Sequence, residues 1–194
     1  PKAEFANDDA RDFFNYAVSA LGIKPENIKM LVDAEAEQTQ IYRAFRGWLP
    51  TRVTKGSTDV YVFYAGHGLP APDGKSLYLV PYGADKDFLE ETGVSQNKLI
   101  EAIQTTQPKS VTVFIDSCYS GQTRGGKALL ASARPLALKS EMNVYPSNFT
   151  VISASALDQI SSSSIDLKHG IFSFYLMKGL EGDADLNQDG IITA

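Results

Sequence analysis

Two stretches of the chain, residues 59–65 (DVYVFYA) and 111–115 (VTVFI), carry β-branched or aromatic side chains on almost every successive position. A strand with one face in water alternates apolar and polar residues, whereas a run of this kind needs cover on both faces. Residues 149–152 (FTVI) repeat the pattern. Around these runs the period changes to that of helices. Phe13, Phe14, Ala17, Val18 and Leu21 recur at helical spacing behind Asn7 and Asp8, which can cap the helix, and Gly22 stops it. Ile41, Phe45, Trp48 and Leu49 mark a second helix over 40–49, ended by Pro50. Ser95 caps a third carrying Leu99, Ile100 and Ile103, and residues 171–180 form a fourth, closed by Gly182. Short strands are predicted over 28–32 and 77–80. Strands alternating with helices predict an α/β fold, a mostly parallel sheet flanked by helices on both faces.

The 194 residues, 43% of them apolar, suffice for one core, so the expectation is a single domain over 1–194. That sheet wants a strand ahead of the first helix, so its first strand is expected to precede Pro1. Residues 122–148 are rich in small residues and too long for an ordinary connection, which predicts a mobile surface loop. The net charge of -5 is spread along the chain without Lys/Arg clusters, so nucleic acid is not an expected partner. No apolar run has the length of a membrane span. With one cysteine there is no internal disulfide, and the compartment stays open.

His67 and Cys118 each sit just past the carboxyl end of a predicted buried strand, the edge where open α/β sheets form their ligand crevices. A cysteine attacks carbonyl carbon as thiolate and needs an imidazole nearby to hold the charge and later protonate the leaving amine. Gly66 and Gly68 flank the histidine and let backbone approach a substrate; the N–H groups of Gly68 and Cys118 can bind the developing oxyanion. Taken singly, a cysteine at a strand end is commonly a small buried hydrophobe and a histidine between glycines a turn residue. The two together on neighbouring strand ends point to acyl transfer.

Tyr64-Ala65-Gly66-His67-Gly68 and Asp116-Ser117-Cys118-Tyr119-Ser120-Gly121 resemble the histidine and cysteine motifs of caspase-like cysteine peptidases, specifically the metacaspases and their bacterial relatives. The separation of 51 residues is similar to that of caspases. Further likeness runs through Asn7-Asp8, Leu79-Val80-Pro81, Ser153-Ala154-Ser155, Asp158-Gln159 and Gly170-Ile171-Phe172, nearly the whole chain. The resemblance implies a caspase-hemoglobinase fold, a Cys/His dyad that requires no cofactor, and hydrolysis of peptide bonds in proteins. Caspases that cut after aspartate carry Gln-Ala-Cys at the nucleophile and an arginine after a later strand. Here Asp116 stands two before the cysteine and Ser153, among the substrate-binding positions, opens a stretch without arginine. Carried over from metacaspases, Asp116 and Asp8 line a pocket for Arg or Lys, which two carboxylates attract; Asp8 reads equally well as a helix cap. Protein or peptide substrates with basic residues are the implied partners. The predicted loop carries Arg124, Lys127, Arg134 and Lys139 and no acid before Glu141, so it resembles a linker that such peptidases cleave in themselves.

Asp185, Asn187, Asp189 and Gly190 match the opening of an EF-hand-type loop over 185–194, which ends at position 10, ahead of the bidentate acid of position 12. A Ca2+ half-site is the reading this supports, beside that of a solvated acidic tail. No carboxylate lies between Cys118 and Glu141, where many metacaspases bind activating calcium. Two other classes compete with an active peptidase: a catalytically silent caspase-like interaction or scaffold module, and a calcium-binding surface protein resting on the last ten residues.

Overall fold

The computed structural model describes residues 3–71, 77–117, 145–154, 163–164 and 167–190. In chain order the elements are α1 (Ala6–Ser19), α2 (Gln38–Arg43), β1 (Asp59–Ala65), β2 (Gly68–Pro70), β3 (Leu77–Leu79), α3 (Leu89–Thr92), β4 (Val94–Ser95), α4 (Gln96–Thr105), β5 (Ser110–Asp116), β6 (Phe149–Ser153), β7 (Ser163–Ser164), β8 (His169–Gly170) and α5 (Ile171–Lys178). Among the described residues the main sheet has the order β1-β5-β6, and both of its pairings are parallel. Its two faces are covered by different helices. Phe63, Phe114 and Ile152 point to the side of α1 and α5, where Phe13 stacks on Phe63 with ring centroids 4.5 Å apart and Phe172 and Leu176 close the cluster. Val60, Val62, Val111, Val113 and Phe149 point to the other side, onto Phe45, Trp48, Leu49 and Ile103. The continuous apolar runs are thus accounted for: each strand sends apolar side chains to both clusters.

A second, antiparallel sheet, β2-β3-β4, leads from the end of β1 toward α4. The strand predicted near 77–80 is its middle member; β2 and β4, three and two residues long, are too short to show a period. Ser95 caps α4 as expected, its Oγ accepting from Lys98 N–H at 3.5 Å.

Two expectations need correction. Asn7 and Asp8 do not cap α1: the helix begins at Ala6 behind Phe5, which is left-handed (φ 61°), so both fall inside the first turn. Residues 28–32 form no strand. Ile28 and Val32 have extended dihedrals, but nothing among the described residues pairs with the segment. Of the predicted loop, residues 145–148 are described; they are coil and turn, tied to the framework by hydrogen bonds. Asn148 Nδ2 donates to Pro108 O (3.1 Å), Val111 N–H donates to Asn148 O (2.9 Å) and Gln96 Nε2 donates to Tyr145 Oη (3.2 Å).

Tyr16, buried on α1, donates its hydroxyl to Leu180 O at 3.1 Å. Burial pushes its pKa up, with further upward pushes from Glu181 and Tyr61. The fold prefers the neutral phenol, so this contribution is complete below the unfolded value of about 10 and is lost as pH climbs through the higher folded one. Urea melts from pH 8 to 11 are expected to show a shallower alkaline decline for Tyr16→Phe than for the parent.

Candidate active site

Parallel strands end on one side, and here the register aligns those ends. Ala65 of β1 lies opposite Asp116 of β5, and Ile115 of β5 lies opposite Ser153 of β6. Two further bonds carry the pairing past the strands, Gly66 N–H to Asp116 O (3.1 Å) and Ala154 N–H to Ile115 O (2.9 Å). His67, Ser117 and Ser153 therefore leave the sheet at one rim, with β5 in the middle. Cys118, which follows the fully buried Ser117 in sequence, lies outside the described residues, as do Arg124, Lys127, Arg134 and Lys139. Ser153 is exposed at the end of β6.

His67 is buried and marks the passage from the main sheet to the small one. Its carbonyl accepts from Val80 N–H (2.9 Å) and from the Tyr64 hydroxyl (2.7 Å). The bond from Val80 makes residues 67 and 80 a bonded antiparallel pair, so Gly68, opposite Leu79, falls in the next, non-bonded pair. Its N–H is turned away from β3 and is not spent on the ladder. An oxyanion donor has to meet that requirement.

Asp116 is fully buried, and its Oδ2 accepts from Ser173 twice, from Oγ at 2.5 Å and from the backbone N–H at 3.3 Å. A second fully buried carboxylate approaches the same segment from α1, and it is Asp9. Gly170 N–H lies 3.3 Å from Asp9 Oδ1 and 3.1 Å from Oδ2, and His169 Nδ1 lies 2.9 Å from Oδ1. Gly170 and Ser173 are the N-cap and third residue of α5. Two buried acids thus sit on the positive end of one helix, which is how an interior tolerates them. Asp8, expected beside Asp116, points elsewhere: its side chain is 54% exposed and pairs with Arg11 at 3.3 Å.

The Asp185 loop is held by its own backbone. Gly190 N–H and Asp189 N–H donate to the Asp185 carboxylate (2.8 and 3.2 Å), and Asn187 Nδ2 donates to Asp189 Oδ2 (2.8 Å). Among the described residues no three His, Cys, Asp or Glu side chains converge to hold a metal ion.

Compared with known families, residues 5–189 match the model of the caspase domain. The chain belongs to the caspase family. No curated protein matches it. In this caspase domain the α/β sheet and its helical layers follow the expected plan, and no helix of the described residues is long and apolar enough to cross a membrane. The sequence alone gives no role to Asp9 or Ser173, and none to Tyr64 beyond its place in the histidine motif. A clue to Asp9 was present, because it lies four residues before Phe13 and eight before Ala17, on the apolar stripe of α1, whereas Asp8 lines up with Arg11, Asp12 and Asn15.

Proposed function

We propose that this caspase domain is a cysteine endopeptidase, with Cys118 as nucleophile and His67 as its acid/base partner. The observation that carries the reading is the register: β1 and β5 end side by side, so the chain segments leading to His67 and Cys118 emerge together. His67 takes the thiol proton, the thiolate attacks the scissile carbonyl, and the N–H groups of Gly68 and Cys118 hold the oxyanion. The tetrahedral adduct collapses to a thioester as His67 returns the proton to the leaving amine. Water, deprotonated by His67, then releases the acid and restores the thiol. No cofactor enters this scheme.

The substrates are proteins cut after Arg or Lys. Asp116 supports that preference from its place two residues before the nucleophile, with Asp9 in place of Asp8 as the second acid. The stretch opened by Ser153 has no arginine to receive an anionic side chain. Arg124, Lys127, Arg134 and Lys139, tethered to the same chain as the nucleophile, are substrates at high effective concentration, which makes self-processing part of the proposal.

A peptidyl acyloxymethyl ketone ending in Arg tests the assignment. It is expected to label the parent covalently and to leave Cys118→Ala unmodified, while the Asp-terminated analogue reacts slowly. Equal labelling of both proteins removes Cys118 from the mechanism, and no labelling of either turns the assignment toward an interaction module. Mass spectrometry of the incubated parent is expected to find new N-termini after one or more of the four basic residues, absent in Cys118→Ala.

A further inference from the structure

We infer that Tyr64 is the positioning residue of His67, a role that rests on the reading of His67 as the acid/base of the site. Tyr64 belongs to β1, yet its ring packs with Leu79, Val94 and Leu99, on the cluster beneath the small sheet. Its hydroxyl lies 2.7 Å from His67 O and 3.3 Å from Val80 O. A phenol has one proton to give, and the shorter contact takes it. The His67 carbonyl is therefore gripped by two donors, Tyr64 from the main sheet and Val80 from the small one. One residue earlier, Gly66 N–H is fixed on Asp116 O of β5. His67 is the point where the chain changes sheets, and these three bonds fix the backbone on either side of its imidazole.

Gly66 makes the grip sterically possible. A Cβ at that position would stand 2.5 Å from the Tyr64 hydroxyl oxygen and 2.8 Å from the ring carbon that bears it. The phenol thus fills the space that a side chain on residue 66 would take. The glycine is needed for the tyrosine to fold back over the turn, beyond any need for backbone freedom. A dyad tolerates little displacement, since misplacement by about 1 Å can cost about 100-fold in rate. Loosening this turn moves the imidazole without touching its chemistry.

The test compares Tyr64→Phe with Tyr42→Phe in this chain. Tyr42 packs on the same cluster and its hydroxyl accepts from Ser95 N–H at 3.3 Å, so its loss is the same chemical deletion away from the turn. With an Arg-coumarin peptide, Tyr64→Phe is expected to lower kcat about tenfold with KM changed by less than about twofold, and Tyr42→Phe to change neither. By hydrogen exchange, the Val80 amide is expected to exchange at least about tenfold faster in Tyr64→Phe and at the parental rate in Tyr42→Phe. Gly66→Ala is expected to reproduce the Tyr64→Phe values, with the double variant no worse than either single one. A kcat for Tyr64→Phe equal to that of Tyr42→Phe, or unchanged Val80 exchange, overturns the inference. If the parent shows no Cys118-dependent turnover, the peptidase reading falls on that result alone. The exchange comparison then still decides whether the phenol holds the turn.

Discussion

Cys118→Ala is expected to reduce hydrolysis of Arg- and Lys-terminated peptides by roughly 1,000-fold or more, with the far-ultraviolet circular dichroism of the parent retained. The magnitude follows from the division of labour in the proposed chemistry. Without the sulfur there is no acyl-enzyme, and His67 with the Gly68 N–H retains only what binding and polarisation offer to a water attack. His67→Ala removes both thiolate formation and leaving-group protonation, so its loss is of the same order and the two changes together cost little more than one. Initial rates over pH 5 to 10 check both. Full activity in Cys118→Ala ends the dyad assignment, and a pH profile of His67→Ala that parallels the parent ends the role of the imidazole.

The second large effect is expected at Asp116, where the choice of replacement matters. Asp116→Asn keeps an oxygen for Ser173 and removes the charge; kcat/KM for Arg and Lys substrates is expected to fall about 10- to 100-fold, the worth of a charge-assisted hydrogen bond, with a smaller loss for a neutral residue at that position. Asp116→Ala would also strand the Ser173 hydroxyl, which is fully buried, and so cost about 1–3 kcal/mol of stability in a urea melt. Activity lost in Ala but kept in Asn would assign Asp116 to the framework. An equal loss for basic and neutral substrates in Asn would remove it from specificity.

The main sheet was legible because a strand covered on both faces is written as an unbroken run. Residues 59–65 are β1 to the residue, and 111–115 and 149–152 fall short of β5 and β6 by one or two positions. The same logic fails where a strand has no face of its own: β2 and β4 are set by tertiary pairing with β3, and residues 28–32 have the composition of a strand without a partner among the described residues. The rim was legible for the same reason as the sheet, since parallel order brings His67 and the residues after Asp116 together. The second acid was not, because two adjacent aspartates differ only in phase. The helix start at Ala6 put Asp9 with Phe13 and Ala17 inside and left Asp8 outside. The grip of Tyr64 on His67 joins residues three apart across a change of sheet, a geometry that neither a period of two nor one of 3.6 announces.

The pairing of β5 with β6 has a consequence for the covalent chain. Residues 117–148 separate the two strands in sequence, yet Val111–Phe149, Val113–Val151 and Ile115–Ser153 lie in register. Asn148 is tied to Pro108, Asp116 to Ser173, and Asp9 to Gly170. All of these contacts link residues before 118 to residues after 144, and none needs the peptide bonds in between. A single cut in that interval would leave two fragments joined by a parallel ladder, a shared apolar layer and two buried carboxylates. They would elute as one particle from a sizing column and separate only in denaturant. The domain's integrity resides in its sheet, and its chain can be open where the sheet is closed.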